Sequence, residues 1–215
     1  MAEGILQVTA RSLYISAVAS LAAFAAAVLT SSYLARSRRR VELLTPVFES
    51  LVGVPTTVVG LLVYTLLSPR GPLGFLKLLY TPYAVMVGEF LVALPAAVAY
   101  MARSFHTVRE GVRELVLSLG VSSERVVSAL ALRELAPTLL TSCLVAFSRA
   151  IGELGVALIV GGGIEGYTNV LTTAIALQAS IGKYEEAIWT GLVLIAITVV
   201  VALAVRFLGE RVLWR

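Results

Sequence analysis

Long apolar blocks alternate with short polar stretches along this chain, and the blocks have the length of membrane helices. Residues 13–34 form an Ala- and Ser-rich run followed by Arg36, Arg38, Arg39 and Arg40, the pattern of a retained span with a cationic anchor at the membrane edge. The run precedes the cations and no small-residue cleavage site follows, so it does not read as a secretory signal. A second block, 45–67, carries Pro46, Gly53, Pro55 and Gly60, which loosen backbone hydrogen bonding and predict a broken or kinked helix. The turn-like stretch 68–74 leads to a third block, 83–101, with Glu89 and Pro95 inside it. A fourth block covers 137–160 and ends at Gly161–Gly162–Gly163. A polar segment then runs to Glu186, and a fifth block fills 187–208.

Between the third and fourth blocks the pattern changes. Residues 104–136 mix charge with apolar positions at helical spacing, including Leu115, Leu119, Val126, Leu130 and Leu132. This predicts two short amphipathic helices outside the membrane, the first ended by Gly120 and the second capped by Ser122 or Ser123.

Composition agrees with the pattern: 59% hydrophobic and 14% charged residues, with a mean hydropathy of +0.93, describe a chain for lipid rather than water. Each span takes about 20 apolar residues, so the 215 residues hold about five in one all-α, polytopic membrane domain, 1–215. There is no Asp, one His (His106) and one Cys (Cys143), which removes the usual metal ligands and an internal disulfide. Neither Lys77 nor Lys183 sits in a phosphate-binding glycine loop, so the chain does not hydrolyse ATP alone and no cofactor is expected in it. The same shortage of Asp and His argues against a membrane enzyme such as a lipid head-group transferase.

Cation counts set an orientation. If the Arg36 cluster is inside, so are Arg103, Arg109, Arg113, Arg125, Arg133, Arg206, Arg211 and Arg215, while the other side receives Arg11, Arg70, Lys77 and Lys183. The N-terminus is then outside, and the loop and C-terminus are cytoplasmic.

Glu114, Gly120 six residues later, Leu130 ten residues beyond and Leu132 two further resemble the coupling loop of permease subunits of binding-protein-dependent ABC importers. Leu115 and Val116 stand where that motif has two alanines, and Arg133 where it has proline, with the next family proline kept at Pro137. The block Arg149–Ala150–Ile151–Gly152–Glu153–Leu154–Gly155, then Gly161 to Thr168 and Leu171 to Leu177, resembles the tungstate-type permeases, which are close to the molybdate ones. Residues 68–74 and Thr81–Pro82 fit the same subfamily, so the similarity covers most of the chain from Arg36 onward.

The resemblance implies a type I importer permease fold in the cell membrane, moving an oxyanion, tungstate before molybdate, sulfate or phosphate. It implies a dimeric cytoplasmic ABC ATPase that binds the ATP and Mg, an external binding protein, a second copy of this chain and surrounding lipid, with no nucleic acid. Glu114, Gly120, Leu130, Leu132, Arg133 and Pro137 would meet the ATPase. A secondary transporter is the alternative, for which such a loop is surplus.

Arg149 and Glu153 lie one helical turn apart and can neutralise each other where single charges are costly. Glu153 reads as a structural clamp, since a carboxylate repels oxyanions, while Arg149 suits either the clamp or an anion path. Gly161 and Gly162 expose backbone amides, and Thr168, Thr172 and Thr173 add hydroxyls to a candidate gate. Together with Gln178 the threonines read as packing or gate residues first and ligand contacts second.

Overall fold

The computed structural model describes residues 4–120 and 124–213. Eight α-helices are present among them: α1 (Ile5–Leu34), α2 (Arg38–Val52), α3 (Thr56–Leu67), α4 (Pro82–Ser118), α5 (Glu124–Glu134), α6 (Ala136–Ile151), α7 (Leu171–Ser180) and α8 (Tyr184–Leu213). A 3-10 turn at Gly74–Leu76 and a π-helical segment at Ala157–Gly161 complete the regular elements.

The core forms where α1 lies along α4, with α6 completing the contact. Small residues at helical spacing on α1, namely Ser12, Ser16, Ala19, Ala23 and Ala27, are all buried; Ala23 and Ala27 pack with Ala93 and Ala97 of α4 and Ala146 and Ala150 of α6, and Ala19 packs with Val85 and Met86 of α4. In lipid, where burial of apolar area gives no drive between helices, such residues let backbones approach and dispersion hold them. Gly88 on α4 shows how close the approach is: a Cβ there would lie 1.9 Å from Val156 Cγ1.

Among the described residues, three helices are long and apolar enough to cross a membrane: Ile5–Leu34, Pro82–Ser118 and Tyr184–Phe207. The second predicted block is the broken helix its prolines and glycines suggested, since α2 and α3 meet at 93°. The break falls at Gly53–Val54–Pro55, where Pro55 is the cap of α3, while Pro46 and Pro95 are absorbed inside α2 and α4.

Two expectations need correction. The fourth block is not one helix: α6 stops at Ile151, Gly152 is its cap, and the chain restarts its helical winding at Gly155. The five blocks therefore become three intact helices, one bent pair and one broken helix. The first of the two short amphipathic helices is not separate either. It is the last part of α4, whose 37 residues extend about 55 Å at 1.5 Å per residue, against a hydrocarbon core of about 30 Å. Nothing between Met101 and Ser118 breaks a helix, so the change from apolar to charged composition alters the surroundings of α4 and not its conformation. The second short helix is α5. The polar segment after Gly163 contains α7, which packs against α8.

Candidate functional site

Glu153 sits at the break in α6 and is 2% exposed. Its Oε2 accepts a hydrogen bond from Arg149 Nη1 at 3.2 Å, and its Oε1 accepts from the backbone N–H of Val156 at 3.0 Å. The second contact caps the next helical turn, whose first N–H groups have no partner within that turn. One carboxylate thus ends one helical segment, starts the next and holds Arg149. The Arg149 side chain is 30% exposed, so the cation stays partly open while the anion is enclosed.

Helix α7 joins this knot through Thr172, whose Oγ1 donates to the Glu153 carbonyl at 2.7 Å. Thr168 Oγ1 donates to the Gly161 carbonyl and accepts from the Ile164 N–H at 2.9 Å, closing the loop after the π segment. Thr173 Oγ1 accepts from the Val170 N–H at 2.8 Å, capping α7. All three threonines are buried, and each hydroxyl is committed to backbone. Gly161 is buried and Gly162 exposed on the same loop.

Sequence reasoning missed the bolts between this loop and α1. Ser12 Oγ accepts from the Leu171 N–H at 2.7 Å, and Arg11 Nη1 donates to the Asn169 carbonyl at 2.8 Å. The fourfold spacing of Ser12, Ser16 and Ser20 was the available signal of a buried polar stripe. Ser16 is buried on this stripe, and the neighbouring helix α4 carries a buried carboxylate of its own, Glu89. Glu89 is 1% exposed, and its Oε2 has no hydrogen-bond partner among the described residues. Glu49, the other carboxylate of the apolar blocks, pairs instead with Arg103 at 3.0 Å in an exposed position. Among the described residues no group of His, Cys, Asp or Glu is arranged to hold a metal ion.

The residues expected to meet a partner are elsewhere. Glu114 lies near the end of α4, Gly120 just after it, Leu130 and Arg133 on α5, and Pro137 in the first turn of α6; all are exposed. The side chain of Leu132 and the proposed caps Ser122 and Ser123 lie outside the described residues. Gly120 has φ +76°, a left-handed conformation that suits glycine at a helix end. Around it Leu115, Leu117 and Leu119 are 57%, 53% and 72% exposed, whereas Val116 and, on α5, Val127 and Ala131 are buried. The turn is held by one apolar row and shows another outward.

A bundle of membrane-length helices with one bent pair and a break beside the Arg149–Glu153 contact is that of a polytopic membrane protein. Residues 14–213 match the family of the binding-protein-dependent transport system inner membrane component, and the chain belongs to that family. It is 36% identical over 201 residues to the tungstate uptake system permease protein TupB of Peptoclostridium acidaminophilum, covering 93% of this chain and 88% of that one. It is 35% identical over 213 residues to a probable anion ABC transporter permease protein of Haloferax volcanii, covering 96% and 90%. Similarity to the molybdenum transport system permease protein ModB of Azotobacter vinelandii is lower, 26% over 181 residues and 80% of each chain.

Proposed function

We propose that this chain is the permease domain of a tungstate importer, driven by a separate cytoplasmic ATPase that binds ATP and Mg and supplied by an external binding protein. The substrate assignment rests on the tungstate permease that it matches over 93% of its length. The observation that carries the ATPase partner is the turn around Gly120. Leu115, Leu117, Leu119 and Leu130 are exposed there at the tip of a helix too long for the membrane, and an unburied apolar row beside charged residues is a docking surface for a protein groove. Glu114 and Arg133 flank that row, Leu132 lies on the same helix, and Pro137 begins the return to the membrane.

The N-terminus lies outside, with the C-terminus and the loop in the cytoplasm. This rests on the cation count, and the grouping of Arg36, Arg103 and Arg109 near one end supports it. Two copies pair to enclose the path, which suits the apolar outer face of α8 with Ile188, Leu192, Ile195, Val199 and Leu203 exposed. On that path Arg149 is the group that attracts the anion, and Glu153 keeps its charge from becoming a trap. Thr168, Thr172 and Thr173, with Gly161 and Gly162, shape the gate segment through their backbone bonds rather than by touching the anion.

Reconstitution with the cognate ATPase and binding protein in sealed vesicles tests the reading. ATP-dependent tungstate uptake that molybdate and sulfate compete with only weakly is expected. Gly120→Pro replaces a φ of +76° by one near −65°, and should uncouple ATP hydrolysis from uptake while the chain still inserts. Uptake driven by an ion gradient without the ATPase would sink the proposal in favour of a secondary carrier.

A further inference from the structure

At the same end of the bundle as the leucine turn, a cavity of ≈ 220 Å³ opens between α1, α4 and α5. Arg36 from the α1–α2 turn and Arg109 from α4 line it together with Ser32, over an apolar floor that includes Val28, Phe105 and Leu135. We propose that this cavity binds the phosphate head group of an anionic phospholipid of the inner leaflet, with its acyl chains running along the apolar floor. The inference rests on the orientation proposed above, which puts this end of the bundle at the inner leaflet, and is independent of which anion is transported.

Three observations favour such a ligand. The two arginines come from separate elements and line one cavity together with Ser32, and these are the donor types of a phosphate-binding set: a guanidinium fork matches two phosphate oxygens at once. Of the Arg36 cluster, Arg36 alone lines the cavity, while Arg38 pairs with Glu42 at 2.8 Å and Arg40 lies over the Tyr33 ring at 4.4 Å. Arg109 makes a further interaction within the chain, and five N–H donors let one guanidinium serve both. Finally, the site is amphipathic along the membrane normal. Arg36 lies two residues beyond Leu34, the end of α1, and Ser32 and Val28 stand four and eight residues back toward the membrane interior, which is how head group and chain are ordered in a leaflet. Basic pockets between helices at the cytoplasmic edge recognise anionic lipid in this way.

The test uses the full chain purified free of lipid in detergent. It is titrated with phosphatidylglycerol, with phosphatidylcholine of the same chains and with inorganic phosphate, and read by native mass spectrometry and thermal unfolding. Phosphatidylglycerol should be retained and should raise the unfolding midpoint, with phosphatidylcholine and millimolar phosphate doing neither. Arg36→Gln with Arg109→Gln should weaken phosphatidylglycerol binding about tenfold or more, while Arg39→Gln, a cation of the same cluster that does not line the cavity, should change it little. Arg36 is exposed, so Arg36→Gln alone folds and must already weaken binding severalfold. Unchanged affinity in that variant overturns the proposal even if the double variant does not fold. Equal binding of phosphatidylcholine would show an unselective lipid groove, and equal stabilisation by phosphate alone a free-anion site; either result also overturns it.

Discussion

The knot around Glu153 and the turn around Gly120 reverse what their compositions suggest. The knot is the polar part of a membrane bundle, rich in hydroxyls, charge and glycine, yet Thr168, Thr172 and Thr173 are buried and bonded to backbone. The turn lies in the charged loop, yet what it presents is leucine, 53–72% exposed at 115, 117 and 119. Polar groups that satisfy one another specify a shape, and apolar groups left uncovered wait for a partner. Of these two regions, the knot's buried polar residues hold the fold together, and the turn's exposed leucines are the contact surface proposed for the ATPase.

The contrast is broken most directly at the ion pair. Glu153→Gln keeps an acceptor for the Val156 N–H but leaves Arg149 without its counter-charge. Loss of one partner from a fully buried pair costs about 3–5 kcal/mol, and the partial exposure of Arg149 brings the expectation down to about 2–3 kcal/mol. Arg149→Met combined with Glu153→Gln should cost less than Glu153→Gln alone. Chemical unfolding of both variants in one detergent decides it, and additive losses would mean that the 3.2 Å contact is not a clamp.

A smaller loss is expected beside the knot. Gly88→Ala puts a methyl 1.9 Å from Cγ1 of the fully buried Val156, and overpacking of this kind costs about 1–3 kcal/mol. An unfolding midpoint equal to that of the parent chain would show that α4 and the π segment have room to part, and the knot would then be less rigid than its hydrogen bonds imply.

The smallest effect on stability belongs to the turn. Leu115→Gln with Leu119→Gln alters two side chains more than half exposed, so unfolding should stay within about 0.5 kcal/mol of the parent while stimulation of the partner ATPase falls steeply. A large stability loss with normal stimulation would make these leucines part of the fold and erase the distinction between the two regions.

Much of this was legible in the chain. The apolar blocks gave the membrane class, and Pro46, Gly53, Pro55 and Gly60 marked the second block as broken, because proline cannot continue a ladder of N–H donors; which of the four carries the bend, Gly53–Pro55, came from the structure. The spacing of Glu114, Gly120 and Leu130 marked the loop, and Gly120 does end a helix there. Arg149 and Glu153 were expected to pair because residues four apart share a helix face. They do pair, although the helix has already ended at Ile151 and Glu153 belongs to the break.

What the sequence by itself determined was therefore one-dimensional: where the chain becomes apolar, where a residue type forbids regular winding, and which near neighbours can meet. Tertiary structure decided the rest. It carried α4 through the change in composition as a single helix, split the fourth block at Glu153, and spent the threonine hydroxyls on carbonyls and amides up to 19 residues away. It brought Ser12 to Leu171 across 159 positions and Arg36 to Arg109 across one cavity. Periodicity reports the surroundings of a residue only through its own helix. Which polar groups are satisfied, and which apolar ones stay uncovered, depends on segments distant in sequence that meet only when the bundle closes.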